Sequence, residues 1–167
     1  MQLNRSDSST DALKRAYTGF RQAAGLLQYI KNNFMYAPSD DMKGPALESL
    51  SKLLLAQASE IFLEKSIHDA KGEALIAKLA SHTAYTYSAL SVEWNDIDTL
   101  RVPAMWCRIV ACKADHFMSV AHLYRAKADR AAGKHGEALT RFRHALSKAQ
   151  AASVSYTHLR AHETRHD

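Results

Sequence analysis

Apolar residues recur at steps of three and four along most of this chain. Short polar breaks interrupt them, a rhythm that predicts helices joined by short turns. Between 11 and 35, the positions Leu13, Ala16, Tyr17, Phe20, Ala24, Leu27, Ile30 and Phe34 share one stripe. The stretch APSDDMKGP (37–45) ends it, because Pro38 turns Ala37 away from helix and Pro45 suits the first turn of the next one. A second helix, 45–66, puts Leu47, Leu50, Leu54, Ala58 and Ile61 on a core-facing arc, with Leu55 and Phe62 together on its shoulder. After the turn IHDAKG (67–72), a third helix over 73–92 has Ile76, Ala80 and Tyr87 on its core side. Leu75 and Leu79 lie on its edge, one turn apart, and that edge turns polar at His82 and Thr86.

The segment WNDIDTLRVP (94–103) reads as a loop closed by Pro103. A fourth helix, 104–132, turns Trp106, Ile109, Val110, Phe117, Val120, Ala121, Tyr124 and Ala128 inward. GKHGEA (133–138) is a glycine-marked turn, and a fifth helix follows over 137–152. Five helices with short joins predict an all-α fold of antiparallel helical hairpins. Tyr124 and Ala128 followed by GKHGEA have the look of a tetratricopeptide-like hairpin turn, although no full period of that repeat recurs. The first residues, MQLNRSDSST, are polar and aperiodic. They predict a disordered start over 1–11, with Ser9 or Thr10 as an N-cap.

Composition narrows this picture. A chain of 167 residues, 47% apolar, is one domain or a piece of a larger one and has enough apolar content for a core. Three prolines and six glycines leave little room for long ordered loops. The apolar runs are short and broken by Lys, Gln or Glu, unlike a membrane span or a secretory leader. Cys107 and Cys112 point in different directions on one helix. A bridge between them would distort it, so they are expected to be reduced thiols of a cytoplasmic protein. The net charge of +5 fits an acidic partner or an anionic membrane face as well as an ordinary solvated surface.

Candidate chemistry is sparse. His162, Glu163 and His166 match the H-E-x-x-H zinc pattern, in which two imidazoles would share a metal and the carboxylate would activate its water. However, VSYTHLRAHET (154–164) reads like a one-frame translation of a transposase-type sequencing adaptor. The segment 154–167 is therefore expected to be a non-native or disordered tail, and the zinc pattern falls with it. No phosphate loop, nucleophile elbow or carboxylate pair appears, so neither catalytic residues, a metal nor a cofactor is expected. The basic residues of the last two helices are interspersed with Asp115, Asp129 and Glu137. No nucleic-acid partner is expected. The shoulder of Leu55, Phe62, Leu75 and Leu79 permits two readings: more core, or an apolar groove receiving an amphipathic helix.

The stretch LLLAQASEIFLEKSIHDAKGEALIAKLA (53–80) resembles the Bro domain family of endosomal-sorting and pH-signalling scaffolds. Supporting matches are AY (16–17) with FRQAAG (20–25), FMYAPS (34–39), and KADHF (113–117) with Tyr124. The likeness covers about 12–150, and 12–153 is read as a partial Bro domain of about five helices. It implies a boomerang-shaped fold of tetratricopeptide-like hairpins, of which the N-terminal sheet and the last helices would be missing here. It also implies a non-catalytic scaffold, cytoplasmic and recruited to endosomes. Such scaffolds bind the C-terminal amphipathic helix of an ESCRT-III subunit of the Snf/CHMP class in multivesicular-body sorting. The binding patch carries over to Phe62, Leu75 and Leu79, with Leu55 flanking. The FMYAPSDD loop favours the fungal vacuolar-sorting branch over the palA branch. A generic tetratricopeptide-like peptide adaptor is the alternative outside the family.

Overall fold

The computed structural model describes residues 3–34, 36–96 and 102–163, and side chains within them other than those of 3–9, 41, 96 and 157–163. Five long helices make up nearly all of it: α1 (Leu3–Asn33), α2 (Gly44–His68), α3 (Glu73–Asp96), α4 (Ala104–Ala131) and α5 (His135–Glu163). One 3₁₀ turn, Asp40–Met42, precedes α2. No strand occurs among the described residues, so the fold is all-α, as the periodicity predicts. The chain divides into two compact units, Met1–Ala70 and Lys71–Asp167.

In the first unit α1 and α2 form an antiparallel hairpin. The cross-helix pairs run in opposite order along the two helices. The Ser51 hydroxyl donates to the Ala24 carbonyl at 3.1 Å, the Lys31 ammonium meets Glu48 at 2.5 Å, and the Tyr17 and Phe62 rings lie 5.9 Å apart. Alanine at position 24, 1% exposed, lets the helices approach closely enough for a short hydroxyl to reach a backbone carbonyl. The Glu48 carboxyl is held below its ordinary range by Lys31 first and Lys52 second.

The second unit is a three-helix layer built on the same device. Ser119 donates to the Ala145 carbonyl at 2.8 Å, and the Cys112 thiol to that of Ala152 at 3.3 Å. Ala138, Ala145 and Ala152 stand seven residues apart on α5 and are all buried. Both cysteines are free thiols, and burial followed by the Asp115 charge pushes the Cys112 pKa up. At the centre Tyr87 of α3, fully buried, stacks on Phe117 of α4 with centroids 5.8 Å apart, while the Lys113 ammonium lies 5.4 Å from the Tyr87 ring.

Several expectations need correction. α1 begins at Leu3 and not at Asp11, because the polar residues between them include no Gly or Pro to break a helix. α3 runs to Asp96 and takes in Trp94, which the sequence pattern placed in a loop; the indole, 6% exposed, extends the buried row of Tyr87 and Leu90. The rest of that loop, 97–101, lies outside the described residues. On α2 the buried positions are Leu47, Ser49, Ser51, Ala56, Ala58, Leu63 and Ser66. Leu50, Leu54 and Ile61, expected in the core, are only half-buried. Leucines occur all round this helix, so periodicity could not choose its packed face, and small serines and alanines mark it instead. Trp106, expected inward, is 45% exposed in the first turn of α4. Phe34, at the far end of the α1 stripe, is 64% exposed. α5 continues to Glu163, again with no Gly or Pro to interrupt it.

The helix ends differ in strain. Gly133, with φ 75°, closes α4: its N–H donates to the Arg130 carbonyl at 3.1 Å and that of Lys134 to the Asp129 carbonyl at 2.9 Å. These two bonds define a Schellman cap with glycine where the left-handed conformation is needed. Ala70 takes the equivalent place after α2, at φ 49°, where a Cβ is unfavourable. Ala70→Gly is therefore expected to stabilise the first unit by about 1 kcal/mol, read as a higher midpoint in urea denaturation. An unchanged or lower midpoint would show that Ala70 carries no strain.

Candidate partner-binding site

The four shoulder residues fall on two helices, one in each unit. On α2, Phe62 and Leu55 stand two turns apart and are 45% and 46% exposed. The Phe62 ring rests at 42° against Tyr17, whose own ring carries the Arg21 guanidinium 5.5 Å from its centroid. α1 thus props Phe62 from one side and leaves nearly half of it in water.

On α3 the boundary between core and shoulder is sharp. Ile76, Ala80 and Tyr87 are buried, as the wheel predicts. Leu75, one step away, is 48% exposed, and Leu79, one turn on, is half-buried. The first turn of this helix is anchored by Gly72, whose carbonyl accepts from the N–H groups of Leu75 and Ile76 at 2.9 and 3.1 Å. α3 therefore presents two leucines on one edge over a packed interior. Such an edge can bury apolar side chains of a second helix without rearranging its own core.

Two further features were not legible as sites. In the first unit, Ile30, Phe34, Tyr36, Pro38, Met42 and Leu47 line much of a hollow of about 450 Å³. In the second, Asp129 is only 3% exposed and draws in two arginines. Arg125 Nε lies 3.1 Å from its Oδ1, and Arg141 Nε lies 2.7 Å from its Oδ2. The Arg141 approach is a charge contact and not a directed hydrogen bond, since neither atom finds a well-angled partner. The spacing of Arg125 and Asp129, four apart on one helix, was a usable signal. Arg141, from the next helix, was not. Nearby, the His122 and His144 rings lie 5.4 Å apart. Burial first, and then His144, Arg141 and Lys148, hold the His122 pKa below its ordinary value of 6.5.

Among the described residues, no group of three or more His, Cys, Asp or Glu is arranged to hold a metal, and no helix is long and apolar enough to cross a membrane. His166 of the H-E-x-x-H pattern lies outside the described residues.

Comparison with known proteins places these helices. The model of the BRO1-like domain matches residues 1–166. The vacuolar protein-sorting protein BRO1 of Cryptococcus neoformans var. neoformans serotype D is 39% identical over 162 residues, covering 93% of this chain and 17% of that protein. The pH-response regulator protein palA/prr-1 of Neurospora crassa is 32% identical over 145 residues, covering 84% of this chain and 17% of its own length. Among solved structures, the BRO1 domain of ALIX in complex with CHMP4C superposes with a TM-score of 0.83 at 26% identity, covering 89% of this chain and 42% of that one. The chain thus spans about one-sixth of the length of these curated relatives. A family model that matches nearly end to end, relatives above 30% identity and a shared helical fold agree: the chain belongs to the BRO1-like domain family.

Proposed function

We propose that this chain is the partner-binding part of an endosomal-sorting scaffold of the fungal vacuolar-sorting kind. It acts without catalysis, by holding the C-terminal amphipathic helix of an ESCRT-III subunit. Leu75 and Leu79 on α3 are its proposed apolar contacts, and the family resemblance adds Phe62, flanked by Leu55, on α2. The observation that carries this reading is the exposed Leu75 beside the buried Ile76 on α3. The solved relative is itself a complex with CHMP4C, which supports the class of partner. The vacuolar-sorting names of the fungal relatives support a cytoplasmic protein recruited to endosomes. The net positive charge of +5 suits an acidic endosomal membrane surface as an auxiliary contact. The palA relative, at 32% identity, favours the pH-signalling branch as the second reading, with the same residues in use.

The test is direct. Leu75→Asp and Leu79→Asp are each expected to weaken binding of a labelled ESCRT-III C-terminal helix peptide by tenfold to a hundredfold, on the order of 1.4–2.8 kcal/mol. Fluorescence anisotropy reads the binding, and circular dichroism is expected to show helix content unchanged. Undiminished binding in both variants sinks the proposal. Loss of helix in Leu75→Asp assigns that residue to the core and sinks it equally.

A further inference from the structure

A second recess, of about 220 Å³, opens entirely within the second unit, between α3, α4 and α5. Its walls include none of Leu55, Phe62, Leu75 and Leu79, so it stands apart from the apolar edge described above. Alanines keep it open. Its polar groups converge from three helices: Lys78 and Ser81 from α3, His122 and Arg125 from α4, and Arg141 from α5.

The charge of these groups is unbalanced. Asp129 sits behind the two arginines, is not itself a wall of the recess, and among the described residues is the one carboxylate paired with them. Lys78 is exposed and makes no ion pair among the described residues. Among the described residues, three cations against one carboxylate leave a surplus of two positive charges at the recess. The buried Asp129 lies on the Nε side of both guanidinium groups, 3.1 Å from Arg125 and 2.7 Å from Arg141, and so draws them together from behind the recess. His122 lines the same recess, and burial first, then His144 and the nearby cations, hold its pKa below the ordinary value.

We propose that this recess binds the phosphate of a phosphorylated side chain on a peptide partner. A phosphate monoester carries roughly −1.5 to −2 charges near pH 7 and presents three acceptor oxygens, matching the charge left over and the fan of donors. A single carboxylate would leave one cation unpaired. A lipid surface is the less favoured ligand, since the cations line a recess between helices and not an open basic face. Phosphorylation of a partner would thereby add a second contact to the same scaffold, read by the second unit alone.

Amide NMR shifts of the full 167-residue chain test this. The probe is an acetylated, amidated alanine–phosphoserine–alanine peptide, alongside its unphosphorylated form, inorganic phosphate, and phosphatidylcholine–phosphatidylserine vesicles. Saturable shifts are expected at Ala77, Ser81 and Ala121 with the phosphopeptide and not with its unphosphorylated form. Lys78→Glu and the milder Lys78→Gln are each expected to weaken binding by about tenfold or more. Leu75→Ala is expected to leave it unchanged, which separates this site from the helix-binding edge. The proposal is overturned by absence of saturable phosphopeptide binding, by undiminished binding in both Lys78 variants, or by inorganic phosphate binding as tightly as the peptide. It is also overturned if vesicles engage these residues where the peptide does not.

Discussion

Tyr87→Ala is expected to destabilise the second unit by about 3–5 kcal/mol, the usual cost of deleting a large aromatic from a closed core. The ring is fully buried, stacked on Phe117 at an interplanar angle of 11°, and approached on the π system by Lys113. Truncation removes the stacking partner, leaves a cavity between α3 and α4, and strips the ammonium of its aromatic contact. Urea denaturation followed by hydrogen exchange reads the effect, and amides of α3 and α4 should lose protection together. Tyr87→Phe keeps the ring, so comparing the two separates packing from the hydroxyl. A loss below about 1 kcal/mol for Tyr87→Ala would mean that the unit is held elsewhere.

Leu63→Ala is expected to have the second largest effect, about 2–5 kcal/mol, on the first unit. Leu63 is 1% exposed, yet its neighbour Phe62 is 45% exposed. One step along α2 thus crosses from core to surface, and Phe62→Ala is expected to cost less than about 1 kcal/mol in stability. The pair makes a sharp contrast: Leu63→Ala lowers the midpoint of the unit, while Phe62→Ala spares the midpoint and weakens the partner helix. Equal losses of stability in both variants would place Phe62 in the core and remove it from the proposed contact. In hydrogen exchange, the change should concentrate in α1 and α2.

The two proposed sites differ in what made them readable. Leu75 and Leu79 stand out because the α3 wheel separates an edge from a core arc, and Phe62 because the surrounding stretch resembles a known family. The phosphate recess had no such signature. Its cations are scattered over positions 78, 125 and 141, among many other Lys and Arg residues interspersed with acidic ones, and no spacing singles them out. A carboxylate buried by two arginines from different helices is visible only once the helices are packed.

By itself, the sequence determined that the chain is helical, where most turns fall and which α3 residues face inward. These follow from local causes: apolar spacing, proline and glycine at the breaks, and a clean amphipathic wheel on that helix. It did not determine which face of α2 packs, because leucines surround that helix. There the choice fell to small residues such as Ser51 and Ala58, which allow close approach. It also did not place Trp94 in the core or Trp106 at the surface, since burial of a helix end depends on what lies beside it in space. Only the tertiary structure could decide those points, because close packing and charge pairing are properties of residues far apart in the chain.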